Sequence, residues 1–429
     1  MENMMRKIWF ILLMGLLSVV SAGTILVLDF EGTVDPPMAT YITRGIDRAN
    51  LENAEAVLIV MDTPGGLLSA TKSIVQKILN SRVPIIVYVY PSGSRAASAG
   101  AFIVIASHVA AMAPGTRIGA AHPVGIGMFS DTSAVMREKV TQDAAAWIRS
   151  IAKLRGRNVS VAQEFVLSSQ SITASEALKL GVIDTMAKSI DELLQMLEGK
   201  VVTVNDEPDT LHTARANIVE IKMPPQQKFL HKILDPNIAY LLLMLGLLGI
   251  AIELQHPGAV VPGVVGVISI LCAMYAFQIL PVNYVGVLLI IAGIIMFILE
   301  VKMPGFGVLF TGGLVSILFG SFMLTASNEP ALRIDWWTII PVVAFFSVLF
   351  LFIVTKAVLI HRKPPKTGME GLVGEMGEVI EHISPKKTGR IFVHGEIWNA
   401  RSNQNIKRGE KVKVIGVKGL VLEVEKVEE

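Results

Sequence analysis

Five nearly uncharged apolar stretches divide this chain of 429 residues and restrict its fold more than any other feature. Each stretch is close to the ~20 residues that an α-helix needs to cross a bilayer. They are Ile238–Ile252, Val264–Leu280, Val285–Leu299, Val308–Leu324 and Trp336–Leu359. With a hydrophobic content of 52%, they predict a membrane domain of about five helices over residues 237–360.

The flanks of these stretches predict an orientation. Arg6 and Lys7 precede the apolar run Ile8–Val20, which is typical of a signal peptide or an N-terminal anchor over residues 1–22. Basic residues after the last stretch favour a cytoplasmic C-terminal side. An odd number of spans then places the preceding soluble domain outside the cytoplasm, in a multi-pass protein of the cell membrane.

The membrane region contains an internal repeat. The pattern Glu253-x-x-x-Pro257-Gly258 recurs as Glu300-x-x-x-Pro304-Gly305, and Gly266 corresponds to Gly313. One hypothesis is a polar site formed by the two glutamates near the membrane face. The simpler interpretation, which we favour, is that the glutamates cap helix ends while the glycines allow close helix packing.

Residues 23–200 predict a globular α/β domain. Strand patterns at Ile25–Leu28, Val57–Met61 and Val83–Tyr90 alternate with helical stretches, which indicates βαβ units and a mainly parallel sheet. Thr173-Ala174-Ser175-Glu176 matches a capping box, and Val182–Asp184 predicts a short strand. The more polar residues 201–236 are interpreted as late strands of this domain and a tether to the membrane.

Residues 366–429 predict a small β-barrel of the OB type. Five short alternating runs are separated by Gly, Asn and Lys residues. Phe392 and Trp398 are its only aromatic residues, too few for a platform on which nucleic-acid bases stack. The net charge of +2 also gives no support for nucleic-acid binding, so we expect a role in protein interaction or assembly.

Ser98 is the strongest candidate for chemistry. It lies in Arg95-Ala96-Ala97-Ser98-Ala99-Gly100, between a predicted strand and the helical stretch Ala101–Ala111. Such a turn exposes a hydroxyl at a helix N-terminus, where backbone N–H groups favour negative charge. Asp62-Thr63-Pro64-Gly65-Gly66 forms a second turn after a strand, and two such turns supply donors for an oxyanion hole. The alternative role for Ser98 is an ordinary helix N-cap.

A nucleophilic serine needs a base, and the nearby candidates are His122 and Lys139. A serine–histidine pair normally has a carboxylate that orients the imidazole, whereas a serine–lysine pair needs a lysine shielded from water. The alternative role for Lys139 is a surface ion pair with Asp143. Cys272 lies in an apolar run, and no metal-ligand spacing occurs, so we expect neither a disulfide nor a metal or other cofactor.

Several segments resemble the ClpP-class membrane proteases of the nodulation efficiency protein D (NfeD) family. They are Thr63-Pro64-Gly65-Gly66, Ala96–Ala101, Met112–Thr116, Ile118–Pro123, Thr173–Ala177, Val182–Asp184, Gly395–Ala400 and Gly419–Leu422. The resemblance implies an α/β ClpP/crotonase-like protease domain, an α-helical transmembrane bundle and an all-β OB-fold domain. It also implies Ser98 as the nucleophile, Lys139 as the base, and oxyanion N–H groups from Gly66 and Ala99.

One departure from soluble ClpP proteases favours Lys139 over His122. Where those Ser-His-Asp enzymes carry their acid, this chain has Ser168-Ser169-Gln170-Ser171, which contains no carboxylate. We therefore predict a membrane-bound serine endopeptidase with a Ser–Lys dyad that cleaves apolar, membrane-proximal protein segments. The resemblance suggests stomatin- or prohibitin-like partners, and we expect a homo-oligomer.

Two other functions are compatible with the sequence. The chain is alternatively a non-catalytic membrane scaffold that binds peptides and organises stomatin-like oligomers. Oxyanion turns of this sort also serve thioester chemistry, so a crotonase-type acyl-CoA enzyme is a third hypothesis. Labelling of Ser98 by a fluorophosphonate probe supports catalysis, and bound CoA would support the third function.

Overall fold

A computed structural model of the chain describes residues 23–123, 134–255, 258, 260–302, 307–325, 332–361 and 369–427. The expected signal peptide over residues 1–22 lies outside the described residues. The chain divides after Phe345 into two compact units, which are described separately.

A six-stranded parallel sheet forms the centre of the first domain, as predicted. Its spatial order is β11–β1–β2–β3–β5–β8. The strands are β1 (Thr24–Glu31), β2 (Ala56–Asp62), β3 (Ile85–Val89), β5 (Val109–Met112), β8 (Thr185–Met186) and β11 (Asn217–Ile221). The residues of β3 are all buried, which explains why this strand has an uninterrupted apolar sequence.

A second, three-stranded sheet lies beside the first. It has the order β4–β6–β7, with β4 at Arg95–Ala97, β6 at Arg117–Gly119 and β7 at Ser171–Thr173. The helices of the domain are α1 (Pro36–Glu52), α2 (Leu68–Leu79), α3 (Ala99–Ala106), α4 (Ala134–Leu154), α5 (Val159–Leu167), α6 (Ala174–Lys179) and α7 (Ile190–Leu197). The capping box is confirmed, since the Thr173 N–H donates to Glu176 and the Thr173 hydroxyl accepts from the Glu176 N–H.

Two predicted elements of this domain are wrong in their limits. The helical stretch over Ala101–Ala111 ends at Ala106, because the Ser107 N–H and hydroxyl both bond the Val104 carbonyl and the chain continues as β5. An apolar run that is buried on every side carries no periodicity, so its sequence does not mark this break. The strand expected at Val182–Asp184 instead begins at Thr185.

The segment 201–236 contains regular structure. β9 (Val201–Val204) and β10 (Glu207–Thr210) form an antiparallel hairpin, and β11 is the edge strand of the main sheet beside β1. Helix α8 (Pro225–Ile233) follows and packs against α1. The Tyr41 hydroxyl donates to the Ile221 carbonyl at 2.5 Å and fixes the end of β11 to α1.

Five apolar helices form the membrane region, as the sequence predicts. They are α9 (Pro236–Gln255), α10 (Val260–Ile279), α11 (Tyr284–Lys302), α12 (Val308–Leu324) and α13 (Trp336–His361). Within the described residues, three of them, α9, α10 and α13, are long and apolar enough to cross a membrane. The other two, α11 and α12, are shorter: their apolar segments, Tyr284–Glu300 and Val308–Leu324, fall in the range of 10–17 residues.

The repeat forms two helical hairpins, α9–α10 and α11–α12. Glycines at corresponding positions make the close contacts: a Cβ at Gly266 would lie 3.0 Å from the Gly246 carbonyl oxygen, and one at Gly313 would lie 2.8 Å from that of Gly293. These separations leave no room for a side chain, which confirms that the glycines allow close packing.

The C-terminal unit contains the predicted closed five-stranded barrel. Its order is β12–β13–β14–β16–β15, with strands at Met376–Glu381, Gly389–Val393, Glu396–Arg401, Lys411–Lys418 and Val421–Lys426 for β12 to β16 in chain order. Alternate residues such as Ile391 and Val393, or Val412 and Val414, fill its core. This alternation is the sequence signal that predicted the barrel.

Candidate active site

Ser98 lies at the junction of β4 and α3, with an unusual backbone conformation. Its φ of 51° and ψ of −113° lie in a region that favours glycine. It occupies the N-cap position of α3, but its hydroxyl forms no capping hydrogen bond. The half-buried side chain is therefore not engaged in the ordinary structural role of a serine at a helix start.

The turn at residues 63–66, here called the glycine turn, lies beside β4. The Thr63 N–H donates to the Arg95 carbonyl at 2.8 Å, and the Ala97 N–H donates to the Thr63 carbonyl at 3.1 Å. A Cβ at Gly100 would lie 2.6 Å from the Thr63 side chain, so the glycine turn also packs against the start of α3. The fold therefore brings the two predicted turns together.

Val34 holds the glycine turn from the opposite side. Its N–H donates to the Gly65 carbonyl at 2.8 Å, and its carbonyl accepts from the Leu67 N–H at 2.8 Å. A Cβ at Gly66 would lie 2.3 Å from the Val34 carbonyl oxygen. Only glycine allows the backbone of the turn to approach Val34 this closely.

Two backbone N–H groups near Ser98 remain available. Within the described residues, neither the Gly66 N–H nor the Ala99 N–H donates to a protein acceptor. The Ser98 N–H itself donates to the Gly119 carbonyl at 2.9 Å, which fixes the turn to β6. The arrangement leaves one serine hydroxyl and two unoccupied donors at neighbouring turns, which are the components of an oxyanion site.

Lys139 lies in the N-terminal half of α4 and is exposed. Within the described part of the chain, its amine forms no ion pair with Asp143 and no hydrogen bond with Ser98. The buried side of α4 is formed by Ala144, Ala145 and Ile148. Lys139 lies on the opposite face of α4 from Ile148, because nine residues at about 100° per residue place the two side chains about 180° apart around the helix axis. A single copy of the chain therefore does not bring the amine and the hydroxyl together.

The second candidate base, His122, is also exposed. Its Nδ1 lies 2.9 Å from the Val166 carbonyl oxygen. In the neutral tautomer that donates from Nδ1, the Nε2 atom is an acceptor and is free to take a proton. His122 follows three residues after Gly119, the residue that binds the Ser98 backbone.

A buried arginine holds the other end of α3. The guanidinium of Arg157 donates to the carbonyls of Val104 and Ser107 at 3.0 and 3.1 Å and also bonds the Ile105 carbonyl. It pairs with Asp184 at 2.9 Å. Arg157 therefore donates to carbonyls at the C-terminal end of α3, and it fixes the helix whose first turn follows Ser98.

His108 lies next to this arginine and is uncharged at neutral pH. Its Nδ1 accepts from the Ile85 N–H at 3.1 Å, and its Nε2 lies 3.2 Å from Arg155. Burial, with the charges of Arg155 and Arg157, lowers the pKa of His108 to about 3. This cluster was not predictable from the sequence, because His108 is far from Arg155 and Arg157 along the chain.

The repeated glutamates contact backbone at the turns of the two hairpins. The Glu300 carboxylate accepts from the Gly307 N–H at 2.9 Å and the Leu309 N–H at 3.0 Å, which caps the start of α12. Glu253 accepts from the Gly258 N–H at 3.3 Å. The Glu300 contacts fit the capping role that the sequence favoured, whereas Glu253 bonds a residue of the turn between α9 and α10.

Comparison with known proteins gives the family. Three family models match consecutive parts of the chain: NfeD1b, N-terminal domain, over residues 24–207; the NfeD integral membrane domain over 237–356; and the NfeD-like C-terminal, partner-binding domain over 369–426. The membrane-bound protease PH1510 of Pyrococcus horikoshii is 38% identical over 94% of this chain and 93% of its own length. The chain belongs to the NfeD family.

A second relative within the NfeD family is the membrane protein NfeD1b of Bacillus subtilis, 27% identical over 92% of this chain and 91% of its own. Among solved structures, the 1510-N membrane protease specific for a stomatin homolog from Pyrococcus horikoshii is 35% identical, with a TM-score of 0.43, over 50% of this chain and 100% of its own. A lysine-to-alanine variant of the 1510-N protease with a substrate peptide is 36% identical, with a TM-score of 0.47, over 50% and 98% of the two chains. The match to PH1510 confirms the predicted class, a membrane-bound protease.

Proposed function

We propose that this NfeD-family chain is a serine endopeptidase in which Ser98 is the nucleophile. The observation that carries the proposal is the conformation of Ser98: a strained residue at a helix start whose hydroxyl makes no cap. Backbone strain of this kind costs roughly 1–3 kcal/mol and persists where the surrounding structure enforces it, often at active sites. The Gly66 and Ala99 N–H groups are proposed as the donors that stabilise the oxyanion.

In the proposed reaction, the Ser98 hydroxyl oxygen attacks a peptide carbonyl carbon while a neutral lysine amine takes the hydroxyl proton. The resulting ammonium gives that proton to the leaving amine nitrogen as the C–N bond breaks, which leaves an acyl-enzyme. Water then attacks the ester carbon while the amine accepts a proton from it, and the resulting ammonium gives that proton to the Ser98 Oγ as the bond between the acyl carbon and Oγ breaks. The carboxylic acid product loses its proton to solvent and leaves, and the free serine and neutral amine are restored. Lys139 is the proposed amine.

The exposure of Lys139 makes a specific demand on this mechanism. A lysine acts as a base when it is shielded from water, because burial disfavours its charged form. Since Lys139 is exposed in the single chain, we propose that the bound substrate and a second copy of the chain cover it in the working enzyme. His122 is the rival base.

The proposed substrates are apolar, membrane-proximal segments of other proteins. The protease domain continues through α8 directly into the first apolar helix, which keeps the site near the bilayer. A stomatin-like membrane protein is the proposed partner, because the 1510-N protease is described as stomatin-specific. Five spans would place the protease domain outside the cytoplasm and the barrel inside.

Single substitutions in the full-length protein, purified in detergent, test the site. The substrate is a quenched-fluorescent peptide with an apolar, leucine-rich sequence. Ser98→Ala and Lys139→Ala are each expected to lower kcat/KM by about 10²-fold or more, since each removes a group that acts in the transition state. Lys153→Ala is the matched control, because Lys153 is an exposed lysine in the last turn of the same helix.

The outcomes separate the candidate mechanisms. Full activity of Ser98→Ala would contradict the serine mechanism. Full activity of Lys139→Ala, together with a loss in His122→Ala, would transfer the role of base to His122. No cleavage by the wild-type chain, with peptide binding retained, would favour the non-catalytic scaffold.

A further inference from the structure

The helix that leads into the membrane is bonded to the protease domain through one buried ion pair. His231 of α8 places its Nδ1 2.6 Å from the Asp35 carboxylate. The two side chains are only 18% and 4% exposed. Two residues, Leu234 and Asp235, separate α8 from the first membrane helix α9. His231 therefore bonds α8 to the protease domain five residues before the first membrane helix begins at Pro236.

Asp35 has a second contact that fixes it in place. Its other carboxylate oxygen accepts from the Met38 N–H at 2.8 Å, so Asp35 is the N-cap of α1. The imidazole also fills the space above Gly32, where a Cβ would lie 3.1 Å from the His231 Nε2. The pair thus clamps the short segment 32–35 between β1 and α1.

This clamped segment is the one that holds the glycine turn. Val34 directly precedes Asp35, and its N–H and carbonyl bond the residues on either side of Gly66. A displacement of Asp35 moves Val34, and the glycine turn moves with it because Val34 is hydrogen-bonded to Gly65 and Leu67 at 2.8 Å each. The connection from His231 to Gly66 passes through Asp35 and Val34.

A cleft of about 1150 Å³ lies along the same path. It is lined by Pro64 of the glycine turn, by His231, and by Asn237 of the first membrane helix. The other charged residues that line the cleft are Asp29 and Glu31 of β1, Arg95 of β4, Glu220 of β11, Lys222 after it, Lys228 and Lys232 of α8, Asp235 before α9, and Arg333 and Asp335 before α13. The glycine turn and the start of the membrane region therefore line one cleft.

We propose that His231 is a positioning residue, which fixes the Gly66 N–H for the oxyanion through Asp35 and Val34 and links the glycine turn to the entry of the first membrane helix. This inference rests on the proposed function, since it assigns a support to the proposed oxyanion donor. His231 touches no reacting atom in it. Its effect is on the transition state, where the oxyanion donor acts.

The charge of the pair gives the proposal a pH signature. Burial alone lowers the pKa of His231, but the hydrogen bond and charge of Asp35, with the Glu31 carbonyl and Asp235, raise it above its ordinary value of 6.5. A group with a raised pKa contributes its charge below that pKa and loses it as pH rises through the raised value. The clamp is therefore strongest below the raised pKa of His231 and weakens as pH rises through it.

The test uses the full-length protein and the same fluorescent peptide. His231→Leu is expected to lower kcat about tenfold with little change in KM, because a misplaced oxyanion donor weakens only transition-state binding. Asp35→Asn keeps an N-cap for α1 but removes the charge, and we expect an intermediate loss. His231→Asn keeps a donor without titrating, so the ratio of wild-type to variant kcat should fall as pH rises through the raised pKa.

His212→Leu is the matched control, since His212 is an exposed histidine that lies 3.6 Å from a carboxylate, Glu198. It should leave kcat and its pH profile unchanged. Unchanged kcat in both His231→Asn and Asp35→Asn would overturn the proposal even if His231→Leu fails to fold. A change in KM alone would also overturn it. If Ser98→Ala retains activity, the proposed function fails instead, whatever the His231 variants show.

Discussion

At the scale of single residues, Ser98 combines a half-buried hydroxyl that makes no cap with a backbone conformation that a side chain disfavours. The sequence predicted a hydroxyl at a strand-to-helix turn, because small residues separate an apolar strand from an apolar helix. It did not predict the positive φ of 51°, since that angle is enforced by contacts with residues 63 and 119 that lie elsewhere in the chain.

The strain at Ser98 predicts an order of stability between two inactive variants. Ser98→Gly should unfold at higher denaturant concentration than Ser98→Ala, because glycine adopts this backbone region without a Cβ clash. Relief of the strain is expected to favour the glycine variant by about 1–2 kcal/mol, after its greater loss of chain entropy. Unfolding of the full-length proteins measures this difference.

Ala97→Gly is the control for this comparison, since Ala97 precedes Ser98 and is not among the residues with positive φ. It should lower stability by roughly 0.5–1 kcal/mol. If Ser98→Gly is less stable than Ser98→Ala by the same roughly 0.5–1 kcal/mol, the backbone there carries no strain.

Lys139 shows the limit of prediction at this scale. Its assignment came from the family resemblance and from the missing carboxylate near Ser168, neither of which depends on its surroundings. The single chain leaves it on the solvent face of α4. Whether a residue is shielded depends on everything that packs against it, including other copies and substrate, so sequence alone does not determine it.

At the scale of elements, the repeated hairpins show how the sequence specifies packing in the membrane. The Tyr240 hydroxyl and the Ser321 hydroxyl lie 2.9 Å apart and join the first hairpin to the second. Within each hairpin, small residues set the helix separation, because lipid gives helices little hydrophobic reason to associate. Two adjacent glycines on one helix therefore differ in how much they contribute to helix packing.

Gly312 and Gly313 provide a matched pair for this prediction. A Cβ at Gly313 would lie 2.7 Å from the Phe297 ring, whereas one at Gly312 meets only the Met296 sulfur at 3.5 Å. Gly313→Ala should therefore lower stability by roughly 1–3 kcal/mol through overpacking. Gly312→Ala should be neutral or slightly stabilising, as alanine favours helix formation.

Thermal unfolding of the two proteins in detergent, followed by loss of the monodisperse size-exclusion peak, measures the effect. The prediction fails if the two substitutions have the same midpoint, because the close contact would then not be what the glycine provides.

Elements with a clear periodicity or clear composition were predictable, and those defined by distant contacts were not. The parallel strands, the five apolar helices and the barrel strands follow from runs and alternations in the sequence. The break after Ala106 does not, because it depends on Ser107 and on Arg157, 51 residues later in the chain. The position of β11 beside β1 is likewise a pairing over nearly 200 residues.

At the scale of the whole molecule, an α/β protease domain, a helical membrane domain and a β-barrel follow one another along a single chain. The order was predictable because each part has its own composition. The path from His231 to Gly66 was not, because it joins side chains and backbone from three separate segments of the chain. The sequence therefore indicates the order of the domains, whereas the contacts between distant segments are seen only in the structure.

The proposed orientation predicts labelling from opposite sides of the membrane. Cys272 is the single cysteine, so Cys272→Ser gives a background without thiols. In it, Ser92→Cys in the protease domain should react with an impermeant maleimide applied to intact cells, and Lys386→Cys in the barrel should not. Labelling of both after permeabilisation is the control, and reaction of both in intact cells would contradict the orientation.

The duplicated hairpins also bear on whether the chain crosses the membrane an odd or an even number of times. A helical hairpin that crosses the membrane twice returns the chain to the side on which it started. Duplication of a hairpin therefore does not by itself move a following domain to the other side of the membrane. In the proposed orientation, and within the described part of the chain, the unpaired helix Trp336–His361 changes that count. A descendant that lost this one helix would keep its protease domain and its barrel but would present both to the same aqueous phase.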